Sequence, residues 1–359
     1  MNECIEITVI LPIRNEEKYI ENTINSILAQ TYPLNKIEII VADGMSDDTT
    51  LDIIRSLTSE KLKIHIIGNS DKIVSVGFNR ALSAAKGNII IRIDGHCVIA
   101  DNYFETCVKL LDSIDADCVG GATKHQPSDL VSDLISFAQC SKFGVGGVSF
   151  REGVSAGKFV DTLAFGAYRK EVFLKIGGYD EELIRNQDDE FNYRLIQSGG
   201  KIWIDPSVSS TYYPRNSLVK LFKQYFQYGV YKIRVFQKRR GIASVRHLIP
   251  VLFISSLLAS STLFLILNIP IALYIFVVIL LSYSFVNLFA SFFGISRFIK
   301  KGNLFNTNHY YLKVIFLFPP VFSIFHVSYG LGMLIGIVKF RKLWLDNKLL
   351  DSHFSNIRN

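Results

Sequence analysis

The sequence predicts an α/β domain built on a mostly parallel sheet, followed by a helical membrane region. In the first part of the chain, short apolar runs alternate with stretches whose apolar residues recur every three or four positions. This alternation is typical of parallel sheets with helices on both faces. Farther along, no Asp, Glu, Lys, Arg or His occurs between Leu248 and Ser296. That apolar length suits two membrane spans of roughly 20 residues each.

Four strands and three helices are expected in the first part of the chain, in alternating order. Each strand is a short apolar run that ends near a proline, glycine or aspartate, and the first helix shows apolar spacing through Ile20, Ile24 and Ile27. The strands are expected at residues 7–12, 37–42, 62–67 and 88–93. The helices are expected at residues 15–30, after Ser46, and at residues 73–85.

Polar side chains gather where these strands end. Asn15 and Glu16 follow the first strand, and Asp43 follows the second. Asp94 and His96 follow the fourth. Because the carboxyl ends of parallel strands share one edge of a sheet, and ligands bind there, we expect these side chains to line one crevice. Taken singly, Asp43 also fits a turn and Asn15 a helix cap, so the functional interpretation depends on the whole set.

The net charge of +7 is concentrated beside the first apolar run. Between Lys220 and Arg246 the chain has eight Lys and Arg residues, several interleaved aromatic residues and no acidic residue. Such a segment beside a membrane span is typical of a helix in the headgroup layer, and the positive-inside rule then places the N-terminal domain in the cytoplasm. The same composition occurs in proteins that bind single-stranded RNA. The adjoining span disfavours that function, so no nucleic-acid partner is expected.

A third apolar stretch at residues 314–338 contains no Asp, Glu, Lys or Arg and is interrupted by Pro319 and Pro320. It either spans the membrane or re-enters it, and basic residues on both flanks favour re-entry if the first two spans form a hairpin. The first two spans are expected at residues 248–268 and 271–293. The expected organisation is a domain at residues 1–215, a basic interfacial helical segment at 216–247, a membrane region at 248–340 and a basic polar tail at 341–359.

Six short motifs carry a resemblance to a known family. They are ILPIRNE at residues 10–16, SILAQTYP at 26–33, VADGMSDDT at 41–49, AAKG at 84–87, DGH at 94–96 and GGYDE at 177–181. Together they resemble the family 2 glycosyltransferases of GT-A fold, over roughly residues 7–215. QYFQYG at residues 224–229, followed by apolar spans, is most similar to the exopolysaccharide enzymes of succinoglycan type.

The resemblance implies a donor site that contains a divalent cation. Asp94 and His96 stand where the family has an Asp-x-Asp strand end, which binds Mn²⁺ or Mg²⁺ against the leaving diphosphate of a nucleotide sugar. Imidazole at the second position is a ligand that Mn²⁺ accepts more readily than Mg²⁺. His96 also fits a purely structural histidine.

The resemblance also implies contacts to the donor outside the metal site. Asp43 matches the position that hydrogen-bonds uracil, and Pro12 with Glu16 matches the loop beside the nucleoside. Asn79 matches a helix asparagine near the donor. The position before Asn79 is often arginine in the family and is phenylalanine here. Lys72 is the candidate to supply the missing cation, and it equally fits a solvated helix start.

A catalytic base is implied near residue 188. The run Asn186 to Leu195 resembles the family's Glu-Asp helix start when its closing Arg-Leu is aligned, with Gln187 in place of the usual glutamate, and this implies that Asp188 is the base for the acceptor hydroxyl. Asp189 and Glu190 are rival assignments, and acidic residues at a helix start also interact favourably with the helix dipole.

These features predict an inverting glycosyltransferase at the cytoplasmic face of the cell membrane. The expected donor is a nucleotide diphosphate sugar with UDP as nucleotide, and the expected acceptor is a saccharide linked to polyprenyl diphosphate in surface or extracellular polysaccharide biosynthesis. No Gln-x-x-Arg-Trp motif of processive synthases occurs from Gln224 to Arg234, which favours addition of a single sugar. Two alternatives remain: a polyprenyl-phosphate glycosyltransferase, and a non-catalytic nucleotide-binding membrane assembly protein. The joint presence of Asp43, Asp94 and Asp188 argues against the second.

Overall fold

The computed structural model describes residues 4–58, 64–147, 149–239, 241, 245–300 and 308–344. These residues form two compact units, the first from residues 4–125 and 149–213 and the second from residues 126–147 and 214–344. Parts of three predicted segments lie outside the described residues. They are the start of the strand at 62–67, part of the basic segment at 216–247 and most of the tail at 341–359.

The first unit is built on a mixed sheet, with four parallel and four antiparallel strand pairings among the described residues. Its nine strands within the described residues are β1 Ile7–Ile13, β2 Ile37–Asp43, β3 Ile64–Gly68, β4 Ile89–Arg92, β5 Cys97–Ile99, β6 Cys118–His125, β7 Lys158–Val160, β8 Ala167–Arg169 and β9 Ile202–Tyr212. Their order is β3-β2-β1-β4-β8-β6-β9-β5, with β7 also paired to β9. Neighbours from β3 to β4 are parallel, and so are β6 and β9, whereas β8 is antiparallel to both β4 and β6. The carboxyl ends of β1, β2, β4, β6 and β9 therefore lie along one edge.

Helices cover both faces of this sheet. In the first unit they are α1 Ile20–Leu28, α2 Thr50–Leu57, α3 Val74–Ala84, α4 Tyr103–Ser113, α7 Ser149–Glu152, α8 Lys170–Ile176 and α9 Gln187–Gln197. All residues of β1 and β2 are buried, as in a sheet with both faces covered. Val9 and Leu11 pack with α1 and α4 on one face. Ile10 packs with α3 and α9 on the other face. The alternation of side chains along β1 thus separates two apolar layers.

A buried polar contact explains the AAKG motif. Thr8 Oγ1 donates to Glu38 Oε1 at 2.5 Å, and the Gly87 amide donates to Thr8 Oγ1 at 2.9 Å. A Cβ on Gly87 would lie 2.5 Å from the Thr8 amide nitrogen, too close for any larger residue. The glycine therefore lets the chain pass directly over β1 before it enters β4.

The first helix begins later than the sequence predicts. The expected helix covered residues 15–30, but α1 starts at Ile20. Asn15 has a positive φ of 55° and lies in the loop after β1, so it does not cap the helix. Its side chain is bonded to the loop after β2, and this contact between residues distant in sequence holds residues 14–19 out of the helix.

The second unit is helical in the described residues. It contains α5 Leu130–Gln139, α6 Lys142–Val145, α10 Leu218–Arg239, α11 Ile249–Leu265, α12 Pro270–Lys300 and α13 Asn308–Lys339. Three helical stretches of the described residues are long and apolar enough to cross a membrane, namely Val245–Leu265, Pro270–Phe298 and Leu312–Lys339. They coincide with the three apolar segments that the sequence predicts. The fold class, an α/β domain followed by a helical transmembrane region, is confirmed.

Helix α13 remains continuous through Pro319 and Pro320 and is bonded to α12 beside them. The Asn287 side-chain amide donates to the Pro319 carbonyl at 3.1 Å and to Ser323 Oγ at 2.8 Å. A proline inside a helix leaves the carbonyl four residues earlier without its backbone donor, so the bonds from Asn287 are additional contacts to α12 and do not replace the ones that the prolines remove. His326, about two turns after Pro319, makes one hydrogen bond with Tyr283 and one with the Phe143 carbonyl.

Helix α13 also packs closely along the basic helix α10. A Cβ on Gly332 would lie 2.1 Å from the Phe226 carbonyl oxygen, and one on Gly336 would lie 2.5 Å from that of Val230. On the opposite helix, a Cβ on Gly229 would lie 2.2 Å from the Tyr329 carbonyl oxygen. Small residues at this spacing let two helix backbones approach each other, as is typical of packing between membrane helices.

Candidate active site

Two loops at the carboxyl edge of the sheet are joined by side-chain hydrogen bonds. The Asn15 amide donates to Asp47 Oδ1 at 2.6 Å, and the Asp47 backbone amide donates to Asn15 Oδ1 at 3.0 Å. The Asn15 backbone amide also donates to Ser46 Oγ at 3.0 Å. These contacts couple the loop after β1 to the loop after β2, so the two loops form one wall of the crevice.

Asp43 ends β2 and is 5% exposed. Its carboxylate accepts from Ser46 Oγ at 2.6 Å and from the Ser46 amide at 3.1 Å. An aspartate that bonds the backbone three residues later shapes its own turn. Asp43 therefore has a structural role in this loop, and the uracil contact stays a prediction. Pro12, also predicted at the donor site, is buried inside β1 opposite Ala42.

Glu16 and His96 form a polar pair at the same edge. His96 Nδ1 lies 2.9 Å from Glu16 Oε1, and both side chains are about one-fifth exposed, at 21% and 19%. A Cβ on Gly95 would lie 2.8 Å from Glu16 Cγ, so the glycine permits this approach. A carboxylate at Nδ1 favours the tautomer in which Nδ1 carries the proton and Nε2 carries the lone pair. This is the arrangement in which histidine ligates metal ions in proteins.

Asp94 is bonded to the last residue of β4. Arg92 Nε and Nη2 donate to the same oxygen, Asp94 Oδ1, at 3.0 and 2.8 Å. Burial opposes ionisation of Asp94, but the positive charge of Arg92 outweighs it, with further contributions from His96 and Arg185, so the pKa of Asp94 is lowered. Asp94 is therefore a carboxylate at neutral pH.

Asp94 and His96 fit a divalent cation by the chemistry of their donor atoms. A carboxylate oxygen and an imidazole nitrogen at one strand end are suitable ligands for Mn²⁺. No group of three or more His, Cys, Asp and Glu side chains that could hold a metal occurs within the described residues. A cation here would therefore take its remaining ligands from the donor and from water, as is common at sites that bind phosphates.

The three consecutive acids of α9 have different surroundings. Glu190 Oε1 accepts from Arg194 Nε at 2.7 Å in a pair whose side chains are 5% and 13% exposed. Arg194 also donates to the Gly178 carbonyl at 2.7 Å. Glu190 is thus engaged in holding α9 to the turn before Tyr179. Among the described residues, the hydrogen bond to the Asp188 carboxylate comes from the backbone: the Asp189 amide donates to Asp188 Oδ1 at 2.9 Å.

Asp188 carries a perturbed carboxyl group. Burial raises the pKa of Asp188 above its ordinary value, Asp189 and Asp94 add to the rise, and Arg92 opposes it. A carboxylate with a raised pKa is a stronger proton acceptor than an ordinary aspartate, provided that the working pH keeps it ionised. Because Asp94 and Arg92 influence its charge, Asp188 belongs to the same electrostatic environment as the end of β4.

The two remaining predicted donor residues lie on α3 and just before it. The Asn79 amide donates to the Tyr179 carbonyl at 2.8 Å, and Asn79 Oδ1 accepts from the Tyr179 amide at 2.8 Å. Asn79 therefore fixes the loop that carries Tyr179. Phe78, at the position where the family often has arginine, is buried and stacks on Tyr179 at 4.2 Å. Lys72 is exposed and has a positive φ of 59°. Donor contacts by Asn79 and Lys72 stay predictions.

Sequence reasoning missed three residues of this edge. Arg92 is a single cation in an otherwise apolar strand that ends two residues before Asp94, which was the available signal. Tyr212, the last residue of β9, lies between two imidazoles, with ring centroids 5.7 Å from His96 and 5.6 Å from His125. No sequence signal connected Tyr212 and His125 to His96, because β6 and β9 are brought to this edge by pairing between distant segments.

Comparisons with known proteins agree with this fold. A sequence profile described as "Glycosyl transferase family 2" matches residues 8–140. The chain is 35% identical over 244 residues to the succinoglycan biosynthesis protein ExoA of Rhizobium meliloti (strain 1021), covering 67% of this chain and 73% of that protein.

A second relative and a solved structure extend the comparison. The chain is 29% identical over 263 residues to a dolichyl N-acetyl-alpha-D-glucosaminyl phosphate 3-beta-D-2,3-diacetamido-2,3-dideoxy-beta-D-glucuronosyltransferase of Methanococcus voltae, covering 70% of this chain and 80% of that protein. The mannosyltransferase PcManGT from Pyrobaculum calidifontis, solved in complex with GDP-Man and Mn²⁺, has a similar fold. The TM-score is 0.53 at 19% identity, with 90% of this chain and 86% of that chain covered.

Proposed function

Because the chain belongs to glycosyltransferase family 2, we propose that it transfers one sugar, with inversion, from a UDP-sugar to a lipid-linked saccharide at the cytoplasmic face of the cell membrane. One observation carries this proposal: at the carboxyl edge of the sheet, Asp94 and His96 follow β4, and His96 Nδ1 lies 2.9 Å from Glu16 Oε1 of the loop after β1. Burial raises the pKa of Asp188, whereas Arg92 outweighs burial and lowers the pKa of Asp94, so the two acids suit two different roles in one reaction.

The donor side is assigned to the ends of β1, β2 and β4. Asp94 and His96 would hold a divalent cation, Mn²⁺ or Mg²⁺, which would neutralise the charge that builds on the leaving diphosphate. Glu16 orients His96 through Nδ1. The crevice wall formed by Asn15 and Asp47 would border the nucleoside, with Asp43 near the uracil ring. In this assignment the protein holds the diphosphate of the donor in a fixed position before the bond to the sugar breaks.

The acceptor side is assigned to the start of α9. In an inverting transfer, the bond from the acceptor oxygen to the anomeric carbon forms on one face while the bond to the diphosphate oxygen breaks on the other. The proton of the acceptor hydroxyl moves to the Asp188 carboxylate. Asp189 remains a rival base, whereas Glu190 is disfavoured because it is buried and its Oε1 is paired with Arg194.

The membrane-linked acceptor is supported by the second unit and by the relatives. Three helical stretches of the described residues are apolar enough to cross a membrane. The names of the two relatives concern succinoglycan biosynthesis and a dolichyl-linked sugar phosphate. We assign the transfer domain to residues 1–215, the headgroup-layer segment to 216–247 and the anchor to 248–340. The acceptor would carry its saccharide on polyprenyl diphosphate, as in surface polysaccharide biosynthesis.

A donor and acceptor assay tests the proposal. The full chain, purified in detergent and returned to liposomes, is incubated with UDP-sugars and with GDP-sugars, with and without lipid-linked saccharides extracted from the host. We expect UDP release that depends on both Mn²⁺ and the extract, together with a labelled lipid product one sugar longer. Equal release from UDP-sugars and GDP-sugars would reject the UDP assignment. No turnover of any nucleotide sugar would reject the proposed function, and nucleotide binding without turnover would favour the non-catalytic nucleotide-binding assembly protein.

A further inference from the structure

Arg92 is a largely buried cation at the carboxyl end of β4. It ends β4, its side chain is 13% exposed, and its guanidinium lies 5.7 Å from the centre of the Tyr179 ring. Tyr179 is in turn held by Asn79 and stacked on Phe78. Arg92 therefore cannot swing away from the site as a surface arginine would, and its charge is fixed in place.

The two bonds from Arg92 to Asp94 have an asymmetric geometry. Nε and Nη2 both donate to Oδ1, at 3.0 and 2.8 Å. A bidentate arginine pair more often uses both carboxylate oxygens. Here the geometry leaves Oδ2 as the Asp94 oxygen that can contact a further group, and it fixes the direction in which that oxygen points.

The charges near Asp94 disfavour a cation that arrives alone. Arg92 already neutralises Asp94, because two of its nitrogens donate to Asp94 Oδ1 at 3.0 and 2.8 Å. A divalent ion would gain one carboxylate oxygen and one imidazole nitrogen but would be repelled by a fixed guanidinium. A nucleoside diphosphate brings at least two negative charges and further oxygen ligands, which remove that repulsion.

We propose that Arg92 is the resident counter-ion of Asp94 and that it makes cation binding at Asp94 and His96 depend on the nucleoside diphosphate. Arg92 is a positioning residue in this account, since it acts through Asp94. The inference rests on the proposed function for the identity of the diphosphate. The consequence is that the nucleotide-free site binds free divalent ions more weakly than the site that holds the nucleoside diphosphate.

A purely structural role for Arg92 and a counter-ion role predict different effects of its loss on Mn²⁺ binding. If Arg92 only supports the fold, its loss should weaken Mn²⁺ binding or leave it unchanged, and should lower the melting temperature. If Arg92 is the counter-ion, its loss frees the Asp94 carboxylate. Mn²⁺ should then bind more tightly in the absence of nucleotide, by about 10-fold, the scale on which groups around metal ligands change metal affinity.

The experiment measures Mn²⁺ affinity by electron paramagnetic resonance of the free ion, with and without UDP. The proteins are the full chain, Arg92→Met, Arg92→Lys and the control Arg55→Met, which removes an exposed arginine paired with Asp52. We expect Arg92→Met to bind Mn²⁺ alone about 10-fold more tightly than the wild type and to gain less from UDP. Arg92→Lys, which keeps the charge, should stay within about 3-fold of the wild type, and Arg55→Met should equal it.

Three outcomes would overturn the inference. Unchanged or weaker Mn²⁺ binding by folded Arg92→Met would show that Arg92 does not compete with the cation. If Arg92→Met does not fold, a 10-fold change in Arg92→Lys would show that charge is not the determinant. The inference would also be contradicted if UDP increased the Mn²⁺ affinity of the wild type and of Arg92→Met by the same factor. Failure of the wild type to bind UDP at all would instead reject the proposed function, which separates the two claims.

Discussion

Asp188→Asn separates a catalytic base from an acid that only supports its helix. The substitution removes the charge but keeps nearly the same volume and leaves an oxygen at the position of Oδ1. That oxygen can still accept from the Asp189 amide, the bond that Asp188 makes at 2.9 Å. We therefore expect the fold and donor binding to survive, while the group that accepts the proton is lost.

The two roles predict effects of different size on different quantities, the rate of transfer for a base and the stability of the fold for a helix-start acid. Loss of a general base costs about 10²–10⁴ in rate, or roughly 3–5 kcal/mol of barrier. Loss of a carboxylate that only interacts with the dipole at a helix start costs about 1 kcal/mol of stability. Because burial raises the pKa of Asp188, wild-type turnover should fall as the pH drops through that raised pKa and the carboxylate becomes protonated. Asp188→Asn should show no such acidic limb.

The assay compares single-turnover transfer, UDP affinity and melting temperature for Asp188→Asn and for the matched neighbour Asp189→Asn. We expect a loss of transfer of at least about 100-fold in Asp188→Asn, with UDP affinity and melting temperature near those of the wild type. Asp189→Asn should keep transfer within about 10-fold. Normal transfer with a lowered melting temperature in Asp188→Asn, or a collapse of transfer only in Asp189→Asn, would refute the reasoning.

Four further predictions concern the site, the fold and the membrane. Glu16→Gln should weaken Mn²⁺ binding in the presence of UDP by about 10- to 100-fold, because Glu16 orients His96, and an unchanged affinity would exclude that role. Glu190→Gln should break the buried pair with Arg194, lower the free energy of unfolding by about 3 kcal/mol and so lower the melting temperature. Transfer measured well below the melting temperature should persist. Gly336→Leu should destabilise the second unit in detergent by about 1–3 kcal/mol, whereas Ile337→Leu, at an exposed position, should not. A C-terminal reporter should be active only in the cytoplasm, because α13 packs along the basic α10 and has basic flanks; activity only outside the cytoplasm would contradict re-entry.

The sequence predicts those parts of the fold that depend on local pattern. The first two strands were recognisable because Ile7–Ile13 and Ile37–Asp43 are almost entirely apolar and buried on both faces. The apolar helices were recognisable because an uninterrupted apolar run of this length is typical of a helix that spans a membrane. Among the later strands, β5, β7 and β8 have three residues each, and β5, β6 and β7 pair with β9 in a way that no local pattern indicates.

The site was predictable only in part, for the same reason. The positions of Asp94 and His96 follow from a strand end, but the pairing of His96 with Glu16 and of Arg92 with Asp94 requires the loops to be in place. The adjacent acids at residues 188–190 are equivalent in sequence. Only the folded turn at residues 176–178, which accepts bonds from Arg194, places Glu190 in an ion pair.

Segment 126–147 shows a further limit of predicting the compact units from the sequence. It lies inside the region predicted as the first domain, yet it belongs to the second compact unit. The reason is apolar packing: Leu134, Ile135 and Ala138 of α5 are buried in one cluster with Phe318 and Phe322 of α13. Helical spacing in the sequence shows that α5 has an apolar face but does not show which element covers it.

The central claim is that this chain adds one sugar to a lipid-linked saccharide, and mass spectrometry of those lipids tests it most directly. Lipid-linked saccharides are extracted from a host strain that lacks the gene and from the same strain carrying the wild type, Asp94→Ala or Asp188→Asn. We predict that the deletion strain accumulates an intermediate that lacks one sugar, that the wild type converts it to the next species, and that neither variant does. An unchanged set of lipid-linked saccharides in the deletion strain, or full restoration by both variants, would contradict the claim.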